Sequence, residues 1–217
     1  MATYKTPDVY VEEISVFPPS VAEVETAIPA FIGYTEKATK TTDNDLEKVP
    51  TRIKSMLEFE QYYGYGPAPE INGVYIDDSG NFKSADITNT YFTYDSVRLF
   101  YDNGGGDCYI VSVGSYNDSI DETQLKAGLR AVANYDEPTI LLFPDGATLG
   151  ASAVSNVQKQ ALKQCNDLMD RVAVFDVQLG DENGTTFRDN IGINYLKYGM
   201  AYTPWLKVAL TKNVSYD

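Results

Sequence analysis

Four acidic residues follow directly after two apolar segments of the sequence, within FPDG (143–146) and FDVQLGDENG (175–184). They are Asp145, Asp176, Asp181 and Glu182. In open α/β sheets, ligands bind outside the carboxyl ends of the strands, and carboxylates clustered there can hold Mg²⁺. The other interpretation is turn chemistry, because Asp-Gly and Asn-Gly are common loop dipeptides. The turn interpretation is favoured, since an acidic chain produces such clusters readily.

A glycine cluster in DNGGGDC (102–108) has the composition of a phosphate-binding loop. Phosphate loops run from a strand into a helix, so that the amino end of the helix faces the anion. Here a predicted helix runs into the cluster and a predicted strand leaves it. The order of the elements therefore favours a helix C-cap and a tight turn, in which glycine supplies positive φ angles.

The chain contains no histidine, which excludes Ser-His-Asp and Cys-His mechanisms and most zinc sites. Its two cysteines, Cys108 and Cys165, lie in apolar periodic segments and are expected to behave as small core residues. One enzyme alternative stays open, a Mg²⁺-dependent phosphotransfer or hydrolase domain that uses the aspartates at 145, 176 and 181. Such a site also needs a cation for the leaving charge, and Lys207 is the candidate.

The composition argues against two classes of partner. The chain has 217 residues with 17 basic and 31 acidic side chains, which gives a formal net charge of −14. Nucleic acid and anionic membrane are disfavoured as main partners, because phosphate groups require clustered Lys and Arg. No apolar run approaches the ~20 residues of a membrane helix, and no secretory signal is visible. The 17 tyrosines favour a large protein contact surface.

Apolar segments that alternate between strand and helix periodicity predict the architecture. The predicted strands lie near residues 27–34, 51–55, 108–113, 139–144, 171–177 and 197–202. Helices are predicted near 56–63, 93–103, 120–132, 154–168 and 185–191. Fully apolar strands that alternate with helices are typical of an α/β fold, with a mainly parallel sheet flanked by helices.

Three local signals refine this prediction. Ser55 to Glu58 and Ser119 to Glu122 each match a capping box, which predicts two helix starts. Residues 65–92 are rich in Gly, Pro, Asn, Asp and Tyr, which indicates a surface excursion. One hairpin is expected within it, with its turn at Asn72-Gly73.

The first 24 residues form a separate block, an extended N-terminal strand arm. VYVEEI reads as a strand, yet no partner for it is evident in the rest of the chain. Its residues are Val9, Tyr10, Val11, Glu12, Glu13 and Ile14. The pair Pro18-Pro19 stiffens the following linker and holds the strand away from residues 25–217, the predicted α/β core. This arrangement favours donation of the strand to the sheet of a neighbouring subunit.

Several segments occur in the order found in contractile tail sheath proteins. They are TPDVYVEEI, IPAFIGY, FEQYYGYG, FYDNGGGDCYIVSV, DEPTILLFPDG, DRVAVFDV and YGMAYTPWLK. The chain therefore resembles the sheath of phage tails and of related extracellular contractile injection systems. The positions that match family motifs are Asn103, Gly104, Gly105, Gly106, Cys108, Tyr109, Pro144, Asp145, Pro204, Trp205, Leu206 and Lys207.

The resemblance implies a structural protein without catalysis, cofactor or metal. It implies stacked rings of sheath subunits around an inner tube, which contract to drive the tube through a target envelope. Implied partners are other sheath subunits, the inner tube protein, and baseplate and terminal cap proteins, with no nucleic acid and no direct membrane binding. It further implies cytoplasmic assembly into a phage tail or a phage-tail-like particle. Members of the family continue past the YGMAYTPWLK segment into a C-terminal sheath domain, which these 217 residues do not contain.

Overall fold

A six-stranded β-sheet organises the computed structural model, which describes residues 27–181 and 183–211. In chain order the strands are β1 (Pro29–Thr35), β2 (Thr51–Ile53), β3 (Glu70–Ile76), β4 (Phe82–Thr88), β5 (Cys108–Ser115), β6 (Ile140–Leu142), β7 (Val172–Asp176) and β8 (Gly199–Tyr202). The large sheet has the order β2-β5-β1-β6-β7-β8, and only the β2–β5 pair is antiparallel. The predicted mainly parallel α/β sheet is confirmed.

In the described part of the chain, five α-helices accompany the strands: α1 (Met56–Tyr63), α2 (Thr93–Asp102), α3 (Glu122–Val132), α4 (Ala151–Leu168) and α5 (Thr185–Ile191). Helices α1 and α2 pack on one face of the sheet, and α3, α4 and α5 pack on the other. Strand β1 lies between these layers and is buried at all seven positions. Alternation along β1 sends Ile32 and Tyr34 into one core and Phe31 into the other. None of the described helices is long and apolar enough to cross a membrane.

The two predicted helix starts differ in outcome. The side chain of Ser55 caps α1 by accepting the Glu58 N–H at 3.2 Å, as predicted. The prediction of a capping box at Ser119 is wrong, because Asp121 caps α3 by accepting the Thr123 N–H at 3.0 Å. Hydrogen bonds to Tyr34 accompany this later helix start. The Tyr34 hydroxyl donates to the Ser119 carbonyl at 3.3 Å and accepts the Asp121 N–H at 2.9 Å.

The hairpin expected within residues 65–92 exists, but its predicted turn is wrong. Asn72-Gly73 lies inside β3 at a register irregularity, where the Asn72 amide donates across the hairpin to Thr88 Oγ1 at 2.8 Å. The turn runs from Asp77 to Asn81 instead. The Asp77 carboxylate accepts the N–H groups of Ser79 and Asn81, and Gly80 has φ +83°. An Asx turn that includes a glycine in the left-handed region fixes the chain reversal more firmly than Asn-Gly alone.

The apolar side chains of α4 are buried from Val154 through Cys165, but Leu168 is 38% exposed. The helix stops at Met169, which has φ +60°, so Leu168 lies beyond the edge of the core. Both cysteines are fully buried free thiols, as expected. Burial raises the pKa of each of these thiols to about 12.

Arg171 closes the carboxyl end of α3 from within the core. Its side chain is fully buried and donates to the carbonyls of Val132 at 3.1 Å and Tyr135 at 2.8 Å. Its guanidinium also pairs with Asp170 at 2.7 Å. A cation at this position satisfies carbonyls that the helix leaves without partners.

We expect Arg171→Met to lower the free energy of unfolding by about 3 kcal/mol, because buried carbonyls lose their donors and Asp170 loses its counter-ion. The matched control is Arg52→Met, since Arg52 is 38% exposed and pairs with Asp107 and Glu137 at the surface. Its loss should be clearly smaller, because exposed ion pairs contribute little. Urea unfolding followed by circular dichroism measures both, and equal losses would contradict a structural role for Arg171.

Candidate functional site

Asp145 lies at the centre of a buried hydrogen-bond network between β1, β6 and α2. Its side chain is fully buried. One carboxylate oxygen accepts the N–H groups of Phe92 at 2.5 Å and Thr93 at 3.0 Å. The other accepts the Tyr34 N–H at 2.6 Å and the Thr93 hydroxyl at 2.7 Å. Burial raises the pKa of Asp145, and these four hydrogen bonds oppose that rise.

The position of this network explains what it does. The chain leaves β1 for β5 on one side and later reaches β6 on the other, so the carboxyl ends of β1 and β6 flank a topological switch point. In doubly wound sheets this crevice normally receives a ligand. Here the amino end of α2 fills it, and the Asp145 carboxylate takes the place that an anionic ligand would occupy.

Gly33 is part of the same arrangement. A Cβ at this position would lie 1.9 Å from Thr93 Oγ1 and 2.5 Å from an oxygen of Asp145. Only glycine therefore allows β1 to approach the network this closely. Sequence reasoning identified Asp145 but missed Gly33, Tyr34 and Thr93, because their partners are far away along the chain and local patterns carry no signal for them.

The other predicted carboxylates do not join Asp145. Asp181 accepts the N–H groups of Thr186 at 3.1 Å and Phe187 at 2.7 Å, at the start of α5. Asp176 is exposed at the end of β7, and Glu182 lies outside the described residues. Within residues 27–181 and 183–211, no group of three or more His, Cys, Asp or Glu side chains could hold a metal ion. The magnesium-site alternative thus loses the convergence of carboxylates on which it depended.

The glycine cluster is a helix end, as its position predicted. Helix α2 stops at Asp102, and Gly104 follows with φ +84°. The N–H groups of Gly104 and Gly105 bond back to Tyr101 at 3.0 Å and Phe100 at 2.9 Å. These amides are used within the turn and do not form an anion cradle.

The Pro204-Trp205 segment borders an apolar groove of about 650 Å³. The groove lies between α2 and the carboxyl ends of β7 and β8, and residues 203–211 form one wall. The indole N–H of Trp205 donates to the Val177 carbonyl at 2.6 Å, and its ring meets Phe92 edge-on at 5.7 Å. Arg98 fixes the far end of this wall by donating to the Thr211 carbonyl at 2.8 Å. Leu206 and Lys207 are exposed on the same segment.

The hairpin formed by β3 and β4, residues 70–88, exposes apolar side chains. All residues of both strands are exposed except Gly73 and Ala85. The large apolar side chains are at least 41% exposed: Ile71, Val74, Tyr75, Ile76, Phe82 and Ile87. Two-stranded hairpins are marginally stable alone, so exposed apolar residues on one indicate a contact surface. The alternation of polar and apolar residues could have revealed these strands. It could not have revealed that the core leaves them uncovered.

The predicted N-terminal arm, including residues 9–14 and the prolines at 18 and 19, lies outside the described residues. Its donation to a neighbouring subunit stays a prediction.

Comparison with solved structures shows a shared fold. One match is a chain in the cryo-EM structure of the anti-feeding prophage (AFP) baseplate in the contracted state, with TM-score 0.55 and 17% identity, covering 92% of this chain and 47% of that chain. Another is a chain of the 6-fold symmetrised AFP baseplate, with TM-score 0.51 and 22% identity, covering 92% and 46%. The chain thus spans about half the length of these solved chains. No family model and no curated protein matches it.

We expect Asp145→Asn to lower the free energy of unfolding by about 3 kcal/mol, because the amide offers one acceptor oxygen where two oxygens accept four hydrogen bonds. Its NH₂ group would face N–H donors. Thr93→Val removes a single donor and should cost about 1 kcal/mol. Urea unfolding measures both, and an unchanged midpoint for Asp145→Asn would show that the network does not hold β1 to α2.

Proposed function

We propose that this chain is a structural subunit of a contractile sheath, which surrounds an inner tube and contracts to drive it through a target envelope. Its work would be to make protein contacts, without catalysis or a cofactor. Its partners would be other sheath subunits, the inner tube, and the baseplate and cap proteins. Such a subunit would assemble in the cytoplasm into a phage tail or a phage-tail-like particle.

The observation that carries the proposal is the exposed hairpin of residues 70–88. A soluble protein rarely exposes contiguous apolar side chains unless another protein covers them. Val74 is 59% exposed, Phe82 70% and Ile76 65%, so both strands offer apolar area for an interface. The fold shared with chains of the AFP baseplate supports an assembly of the contractile kind.

The network around Asp145 also supports a structural role, because it fills the crevice in which a ligand could bind. The crevice that binds ligands in related sheet architectures is occupied by the amino end of α2. The hydrogen bonds there join residues that are 111 positions apart, Tyr34 and Asp145, and they hold the sheet to α2. A body stiffened in this way suits a subunit that transmits force.

The N-terminal arm would connect neighbouring subunits. We propose that residues 9–14 add a strand to the sheet of an adjacent copy, which keeps the lattice connected during contraction. Ten residues, such as 7–16, span roughly 30 Å when extended, so the strand can reach a neighbour while the core stays folded.

We expect the double variant Val74→Thr/Ile87→Thr to abolish assembly of the full-length protein while leaving the subunit folded. Threonine keeps the β-branch and the backbone N–H, so only apolar contact area is lost. The matched control is Leu57→Gln, because Leu57 is 75% exposed on α1, outside the hairpin. Negative-stain microscopy of wild-type protein should show striated tubes. Tubes formed by the double variant would remove the hairpin from the interface, and their absence from wild-type preparations would contradict the sheath proposal.

We expect Val11→Pro to leave the subunit folded, with an unchanged circular dichroism spectrum, yet to prevent assembly or uncouple the rings on contraction. Proline removes one N–H donor and blocks the strand ladder. Val11→Thr keeps the donor and should assemble. Intact tubes from Val11→Pro that contract without separating would show that the arm is not a strand between subunits.

A further inference from the structure

The sequence contains three Asn-Gly pairs, at 72–73, 103–104 and 183–184. Asparagine is chemically labile, and a glycine after it lacks the side chain that would hinder attack on the asparagine amide. In this reaction the glycine backbone nitrogen loses its proton and bonds to the asparagine Cγ, and ammonia leaves. Water then opens the cyclic imide to aspartate or isoaspartate. The reaction requires a backbone nitrogen that can leave its own hydrogen bond and approach the Cγ atom.

The fold restrains the second of these pairs. The Gly104 N–H donates to the Tyr101 carbonyl at 3.0 Å, and the Asn103 side-chain amide donates to the Leu99 carbonyl at 2.7 Å. Both hydrogen bonds close the carboxyl end of α2. Attack on the Asn103 amide would therefore require the end of a core helix to unwind.

The third pair is restrained as well. Gly184 is buried, and its N–H donates to the Asp181 carbonyl at 2.8 Å. The Asn183 carbonyl accepts a hydrogen bond from the guanidinium of Arg188 at 2.8 Å. Gly184 also has φ +62° and lies at the N-cap of α5, so a movement of its nitrogen would disturb the start of that helix.

The first pair, Asn72-Gly73, is held more weakly. Asn72 is the extra residue of a bulge in β3, because Ile71 and Asn72 together stand opposite Ile87. A bulge disrupts the ladder locally, and a two-stranded hairpin is marginally stable alone. Asn72 is exposed, and among the described residues its side chain has one hydrogen bond, to Thr88 Oγ1. Exposed ladders of this kind open locally at a low cost in free energy.

The fold does not require glycine at position 73. Gly73 does not have a positive φ angle, in contrast to Gly104 and Gly184. A Cβ at Gly73 would lie 3.7 Å from the Tyr75 hydroxyl, which is an ordinary van der Waals contact. Alanine at this position therefore keeps the fold and places a methyl group beside the attacking nitrogen.

We propose that Asn72 is a site of spontaneous modification, at which the folded chain deamidates to aspartate and isoaspartate. Either product adds a negative charge to the hairpin of residues 70–88. Isoaspartate also lengthens the backbone of β3 by one methylene group, which disturbs its register with β4 beyond this point. The reaction consumes only water, and it depends neither on assembly nor on the function proposed above.

Peptide mapping tests the proposal, because trypsin separates the three pairs into peptides 55–83, 99–126 and 172–188. The full chain is incubated in mildly alkaline buffer, and tandem mass spectrometry follows the exchange of NH₂ for OH at each asparagine. We expect Asn72 to react about tenfold faster than Asn103 or Asn183, because the hairpin opens more readily than either helix end. In guanidinium chloride, which removes the differences that the fold creates, the three rates should become similar.

The matched variant is Gly73→Ala, which should slow the reaction at Asn72 to the level of the other two sites and leave their rates unchanged. Circular dichroism should show this variant folded. Two results would each overturn the proposal: a rate at Asn72 in the folded wild type no higher than at the other two sites, or an unchanged rate at Asn72 in Gly73→Ala.

Discussion

The rest of the structure depends on a single buried carboxylate. Among the residues that the structure describes, no cation pairs with Asp145, and its carboxylate is held by backbone N–H groups from two elements and by one hydroxyl. A buried charge is costly unless it is bonded in this way. The bonds therefore fix the position of α2 against β1 and β6, and α2 in turn supplies one side of the groove at Trp205. A shift of this helix would alter both the core and the surface.

The network around Asp145 occupies the position at which open α/β sheets commonly bind a ligand. In such sheets the crevice at the switch point is left open, and polar groups there face the ligand. Here the polar groups face one another. Two features lie on the surface instead: the apolar hairpin of residues 70–88 and the mainly apolar groove beside Trp205.

Most of the fold was predictable from the sequence, because short local patterns indicate its elements. Examples are the apolar run TILLFP for a strand and the capping box at Ser55 for a helix. The errors at Asn72-Gly73 and Ser119 share a physical cause. In each case a second local signal was stronger: the Asx turn at Asp77, or the N-cap at Asp121, which a hydroxyl from distant Tyr34 supports. The network around Asp145 and the exposure of the hairpin depend on contacts between distant segments, so no short pattern could reveal them.

The pairing of β1 also has a consequence for how the chain is made. This central strand is synthesised first among the described strands, but Ala30 pairs with Tyr109 on one side and Leu141 on the other. The ribosome must therefore pass residue 145 before β1 has both neighbours and its anchoring carboxylate. At roughly 5 to 20 residues per second, this wait lasts on the order of 5 to 20 s. During that time a mainly apolar strand, which is buried at every position of the finished fold, has no partner strands in the nascent chain and is open to aggregation.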